Sequence, residues 1–171
     1  DFDYYSDMSS KAMKIIEKYA DVFEYVGRDE AYLDVTKKTE TDFHNAEHLA
    51  QQLKNEIMND LKLTCSIGIT PNKLLSKIAS DYKKPDGLTT VKPEQIEEFL
   101  SPLKIREIPG IGKKTEEVFT QMNVHTIEEL REIDIFDLNK IFGRKTGGYI
   151  FNSAKGIDTE IVKERPPTIQ F

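Results

Sequence analysis

The sequence has little of three things, and each shortage closes off a class of protein. It carries one cysteine in 171 residues, Cys65, so an internal disulfide is excluded and a reducing, cytoplasmic setting is expected. It contains no apolar run of membrane-spanning length and nothing that reads as a signal peptide, so no membrane partner is expected. It also lacks an excess of positive charge. The net charge is −6, and 12 basic residues face 16 acidic ones through Val91, then 12 face 14 after it. Neither half should grip nucleic acid tightly by charge alone. The chain opens on Asp1-Phe2-Asp3 without a methionine, which suggests a piece of a longer protein.

What is present centres on Val26-Gly27-Arg28-Asp29-Glu30-Ala31-Tyr32-Leu33-Asp34-Val35. Val22, Tyr25 and Val26 read as one strand, and Ala31, Leu33 and Val35 alternate with polar residues as a second. Asp29 and Glu30 would then stand at the tip of a buried hairpin. Adjacent strand residues face opposite ways, so two neighbouring carboxylates share a target only at a tip or a bulge. Two such anions repel unless a cation joins them, and hard oxygen donors suit Mg²⁺, which keeps positions open for phosphate oxygens. The plainer alternative is an acidic surface turn.

Around this hairpin the pattern is α+β. Met8, Ala12, Ile15, Ile16 and Tyr19 predict a helix over residues 6–20, with Asp1–Tyr5 as its lead-in. Phe43, Ala46, Ala50, Leu53 and Ile57 predict a long helix ending near Leu61. Leu63–Thr70 reads as an apolar strand. Thr70-Pro71 reads as a cap and first helical proline, followed by a helix with Leu74, Leu75, Ile78, Ala79 and Tyr82 inward. Lys73 and Lys77 lie one turn apart on its more polar side. Lys84-Pro85-Asp86-Gly87 is a turn, and Leu88–Val91 a short strand. The expectation is a small mixed sheet with helices on one face.

The texture changes at Lys92-Pro93, where β-branched runs give way to short helical patterns. Thr126-Ile127-Glu128-Glu129 spells a capping box. Ile108-Pro109-Gly110-Ile111-Gly112-Lys113-Lys114 has the form of a helix-hairpin-helix DNA-binding hairpin. Its glycines let backbone amides approach a phosphate, and Lys113 and Lys114 add charge. Such contacts hold the backbone of DNA without reading sequence. The division expected is 1–92, an all-helical module over 93–158, and an extended linker over 159–171. His44-Asn45-Ala46-Glu47-His48 spells a zinc-protease pattern, but nothing supplies a further ligand, and an exposed helical stripe is the better reading.

Four motifs in order resemble the Y-family, translesion DNA polymerases of the DNA polymerase IV type. Asp29–Asp34 resembles the palm motif S-I-D-E-A-Y-L-D. Cys65–Ile69 with Asn72–Asp81 resembles the strand and helix that follow it. Lys84-Pro85-Asp86-Gly87 resembles the K-P-x-G turn, and Ile108–Gly112 the thumb hairpin. The resemblance implies a partial, ferredoxin-like palm followed by an all-α helix-hairpin-helix thumb, with fingers and little finger absent. It implies an error-tolerant, DNA-directed DNA polymerase acting on primer-template DNA and dNTPs, with two Mg²⁺ ions, in translesion synthesis and repair. A sliding clamp would be reached through regions outside this chain.

The same resemblance assigns roles. Asp29 would ligate both metal ions, and Glu30 would help hold the catalytic one beside the primer 3′-hydroxyl. Lys84 would contact the incoming triphosphate. Gly110 and Gly112 would meet DNA phosphates through their amides, aided by Lys113, Lys114 and Lys77. Gly27-Arg28 departs from the family's Ser-Ile. The family's other catalytic aspartate precedes the fingers, so this chain alone is expected not to polymerise DNA. The competing reading is a non-enzymatic DNA-binding scaffold with a structural acidic hairpin.

Overall fold

The computed structural model describes residues 2–27 and 29–165, and among these no helix is long and apolar enough to cross a membrane. The fold is α+β, and its residues gather into two compact units. Unit 1 holds the chain up to Ile69, then Ser80–Thr90, and takes up the chain again from Ile161. Unit 2 holds Thr70–Ala79 and Val91–Glu160.

In unit 1, α1 (Phe2–Glu17) leads into a hairpin of β1 (Val22–Gly27) and β2 (Glu30–Asp34), and α2 (Phe43–Leu61) follows. The helical start is a correction: Asp1–Tyr5 was expected as lead-in, but α1 already begins at Phe2. Asp42 caps α2 by accepting from the Asn45 amide, and Ala46, Ala50, Leu53 and Ile57 line its buried face, as their spacing predicts. Ile15, Leu53 and Ile57 form a small core with Ile16, Tyr19 and Leu33 packed against it. Each fully buried aliphatic side chain there contributes about 2 kcal/mol.

β3 (Ile67–Ile69) and β4 (Leu88–Thr90) pair in parallel, joined through α3 (Lys73–Tyr82). The expected single mixed sheet is two separate two-stranded ladders, one antiparallel and one parallel. β3 is also far shorter than the apolar run Leu63–Thr70, since only three of its residues find ladder partners on β4. A further bridge lies beside β1. The Tyr25 amide donates to the Arg165 carbonyl at 2.8 Å and the Arg165 amide to the Phe23 carbonyl at 3.0 Å. The Lys163 amide donates to Glu24 Oε1 at 2.8 Å, so the returning tail runs parallel to β1.

Unit 2 is helical: α4 (Ile96–Leu100), α5 (Lys113–Gln121), α6 (Ile127–Arg131), α7 (Ile135–Phe142) and α8 (Arg144–Ala154). Its core joins Leu74, Leu75 and Ile78 of α3 with Leu100, Ile105, Ile108, Phe119, Ile127, Leu138 and Ile150. The expected inward residue Tyr82 is 52% exposed; it lies on the last turn of α3, which counts with unit 1. Asn72, rather than Thr70, caps α3: its side-chain oxygen accepts from the Leu75 amide at 2.9 Å. Thr126 and Glu129 form the capping box that their spacing predicts.

Candidate functional site

The acidic pair stands where the strand pairing becomes irregular. Val22, Phe23, Glu24 and Tyr25 face Asp34, Leu33, Tyr32 and Ala31 in register, and the next pair is Gly27 with Glu30. Val26 is therefore an extra residue, a bulge of the kind that re-aims a strand end. The turn that follows carries Asp29, and Glu30 opens β2. Both are exposed, whereas a buried hairpin was expected; the buried residue of this hairpin is Phe23, 2% exposed near its base. Arg28, the second residue of the departure from the family's Ser-Ile, lies outside the described residues.

Asp29 has a partner that its sequence neighbourhood does not announce. The Tyr5 hydroxyl, on α1, lies 2.5 Å from both Asp29 Oδ1 and Asp29 Oδ2. Further along β2, Asp34 accepts from the Thr36 amide at 2.9 Å, and hydrogen bonding from Thr36 holds its carboxyl below the usual range. Asp34 thus closes a turn rather than joining the exposed pair.

The Lys84-Pro85-Asp86-Gly87 turn is fixed by a lysine on α2. Lys54 donates from Nζ to the Cys65 carbonyl, to Asp86 Oδ1 at 2.6 Å and to the Gly87 carbonyl at 3.4 Å. Gly87 is required here by close approach: a Cβ would fall 2.7 Å from the Lys83 carbonyl oxygen. The Lys84 ammonium is exposed and pairs with Asp81 Oδ1 at 2.8 Å. Cys65 is free, and burial pushes its thiol up, away from nucleophilic reactivity.

The glycine hairpin belongs to unit 2. Ile105, Ile108, Ile111 and Phe119 are buried under it, and Val118 is half-buried. Gly110 has φ +90°, a conformation that side chains with a Cβ rarely adopt. Gly112 occupies the cap position of α5 with φ −92° and ψ −174°, and no side chain satisfies the first amides of that helix. Gly110, Gly112, Lys113 and Lys114 are all exposed there. Lys77 lies on the part of α3 that counts with unit 2 and is half-buried.

Sequence reasoning missed Tyr5, Lys54 and Tyr149, whose hydroxyl donates to the Pro109 carbonyl. Each acts across 11 or more residues of chain, and spacing within one element carries no sign of that. His44 and His48 are exposed on α2, and the described residues contain no cluster of three or more metal-type side chains.

Two family models match the chain: the impB/mucB/samB family over residues 1–81, and the DNA polymerase-iota thumb domain over residues 106–158. DNA polymerase IV of Nitrosopumilus maritimus is 69% identical over 170 residues, which is 99% of this chain and 47% of that protein. DNA polymerase IV of Saccharolobus solfataricus is 35% identical over 94% of this chain and 46% of its own length. The crystal structure of DinB from Sulfolobus solfataricus matches with a TM-score of 0.87 at 35% identity, covering 95% of this chain and 48% of that one. A structure described as an insertion ternary complex of Dbh DNA polymerase matches equally well, over 95% of this chain and 47% of that one. The chain spans about half the length of the relatives it matches.

Proposed function

The chain belongs to the Y family of DNA polymerases, and from that premise we propose that it supplies palm and thumb to an error-tolerant, DNA-directed DNA polymerase. Palm is assigned to residues 1–92, thumb to 93–158, and a linker toward a further domain to 159–171. The observation that carries the reading is the placement of Asp29 and Glu30 together, exposed, at a bulged hairpin end. Two hard, exposed carboxylates fit Mg²⁺, which takes few protein ligands and leaves room for substrate oxygens. With ions bound, such a site supplies an activated 3′-oxygen and a neutralised leaving pyrophosphate.

The chain's own residues then have distinct tasks. Asp29 and Glu30 would hold the cations beside the primer end. Lys84 exchanges Asp81 for a phosphate oxygen of the incoming dNTP and meets it as a point charge. Gly110 and Gly112 present amides to the DNA backbone, with Lys113, Lys114 and Lys77 adding screened charge. The polymerase works on primer-template DNA in the cytoplasm.

Primer extension by the full-length protein is the test. Asp29→Asn and Glu30→Ala should each lower the extension rate by orders of magnitude while duplex affinity holds near wild type. Rates near wild type in both variants would remove the pair from the active site and favour a DNA-binding scaffold.

A further inference from the structure

The contact that no motif accounts for joins the first turns of α1 to the acidic hairpin. Tyr5 and Asp29 are 24 residues apart, on different elements, and the phenol oxygen is 2.5 Å from each carboxylate oxygen. One hydroxyl carries one proton, so it donates to one oxygen at a time. A carboxylate has about four lone-pair positions, and this contact uses one of them. Most of the carboxylate's lone-pair capacity stays open to a cation.

Asp29 itself sits in a turn and is exposed. An exposed carboxylate rotates freely, and ordering it on a cation costs conformational entropy. A partner that fixes its rotamer beforehand removes part of that cost, and hydrogen-bonded carboxylates around metals follow this design. Tyr5 is well suited to the task, because a rigid ring on a helix swings less than a long flexible side chain. The residue is 47% exposed, so its packing contribution is modest.

We propose that Tyr5 is a positioning residue for Asp29: its hydroxyl fixes the carboxylate for cation binding and settles on one oxygen when a cation takes the other. This rests on the metal-site reading of Asp29 given above. Tyr5 touches neither substrate nor cation, and acts only through Asp29.

Mn²⁺ binding to the full-length protein, followed by electron paramagnetic resonance without DNA or nucleotide, tests this apart from turnover. Tyr5→Phe keeps the ring and should weaken Mn²⁺ affinity by roughly 10-fold or more, the usual effect of removing an outer-shell partner. The melting temperature should stay close to wild type. Half-maximal extension should need correspondingly more Mg²⁺, with the rate at saturating Mg²⁺ largely restored. Unchanged affinity in Tyr5→Phe would overturn the proposal, and tighter binding would recast the hydroxyl as a competitor of the cation and overturn it as well. Asp29→Asn is the reference. If that variant binds Mn²⁺ normally, the metal-site reading itself fails; if it loses binding while Tyr5→Phe does not, only the positioning role fails.

Discussion

The hydroxyl of Tyr149, on α8, donates to the backbone carbonyl of Pro109, forty residues earlier at the edge of the glycine hairpin. Its ring lies under the same loop, 3.6 Å from where a Cβ on Gly110 would stand. The hairpin is therefore braced from below by a side chain that no hairpin motif includes. Tyr149→Phe leaves the ring and removes the brace. It should cost about 1 kcal/mol in a denaturant titration, and it should weaken duplex binding modestly as the loop loosens, measurable by fluorescence anisotropy.

The two hairpin glycines answer different questions. Gly110→Val forces a positive φ on a branched residue, so it should damage the loop as well as binding. Gly112 has extended backbone, and nothing lies within 4 Å of a Cβ there. Gly112→Val should therefore keep the circular dichroism spectrum while blocking close approach of a phosphate. It should reduce duplex affinity more than Lys113→Ala, which removes only a screened charge. The salt dependence should be shallow, each neutralised phosphate adding about 0.9 to the slope. Normal binding by Gly112→Val would make the hairpin an ordinary helix–helix turn.

Gly27 stands where the family has serine, and the backbone does not require it. Its φ lies outside the left-handed range, and an added Cβ would meet nothing within 4 Å. Gly27→Ser should thus change unfolding free energy by between nothing and about +1 kcal/mol, acting through the unfolded chain. A marked loss of stability on thermal melting would show that the turn depends on glycine.

Arg131 ties three places in unit 2 together. It donates to the Ala154 carbonyl at 2.7 Å, to Ser101 Oγ at 2.6 Å and to the Glu97 carbonyl at 3.3 Å. Arg131→Met keeps much of the side-chain volume but takes the donor from the Ala154 carbonyl at the end of α8 and the partner from the Ser101 hydroxyl, while the Glu97 carbonyl keeps its bonds from Ser101. A loss of about 2 kcal/mol in urea unfolding is expected. Lys, with a single point of donation, should recover only part of it.

Tyr19 gives a pH signature. Its hydroxyl donates to Glu56 Oε1 at 2.6 Å, and that bond, with burial and the Glu56 charge, pushes its pKa up to about 12. The unfolded value is about 10. The folded state therefore holds the proton more tightly, and this contribution to stability is full below pH ~10 and lost as pH rises toward 12. Ultraviolet titration should show Tyr19 among the late-ionising tyrosines, with Tyr149, which burial also pushes up. Glu56→Gln should bring the Tyr19 ionisation down, and Tyr19→Phe should reduce the late change by one tyrosine.

The helices were legible because their signals are local. The face Ala46-Ala50-Leu53-Ile57 and the box Thr126–Glu129 each lie within a few turns of one element. Asp29, Glu30 and the glycine hairpin were legible for the same reason. The strands were less so: Leu63–Thr70 looks like a long strand, but ladder length depends on partners far away in sequence, and only Ile67–Ile69 has them. Tyr5, Lys54 and Tyr149 were hidden altogether, since each hydrogen-bonds across a distance that only the fold closes.

The strand-like return of the chain at Arg165 has a mechanical consequence. The larger part of unit 2, Val91–Glu160, lies between Thr90 and Ile161, and the chain on either side of that stretch is fastened into unit 1, on β4 and alongside β1. Tension applied beyond Arg165 loads the two backbone hydrogen bonds to Phe23 and Tyr25 first. Until those bonds part, the load passes into β1 and does not reach the backbone of Val91–Glu160.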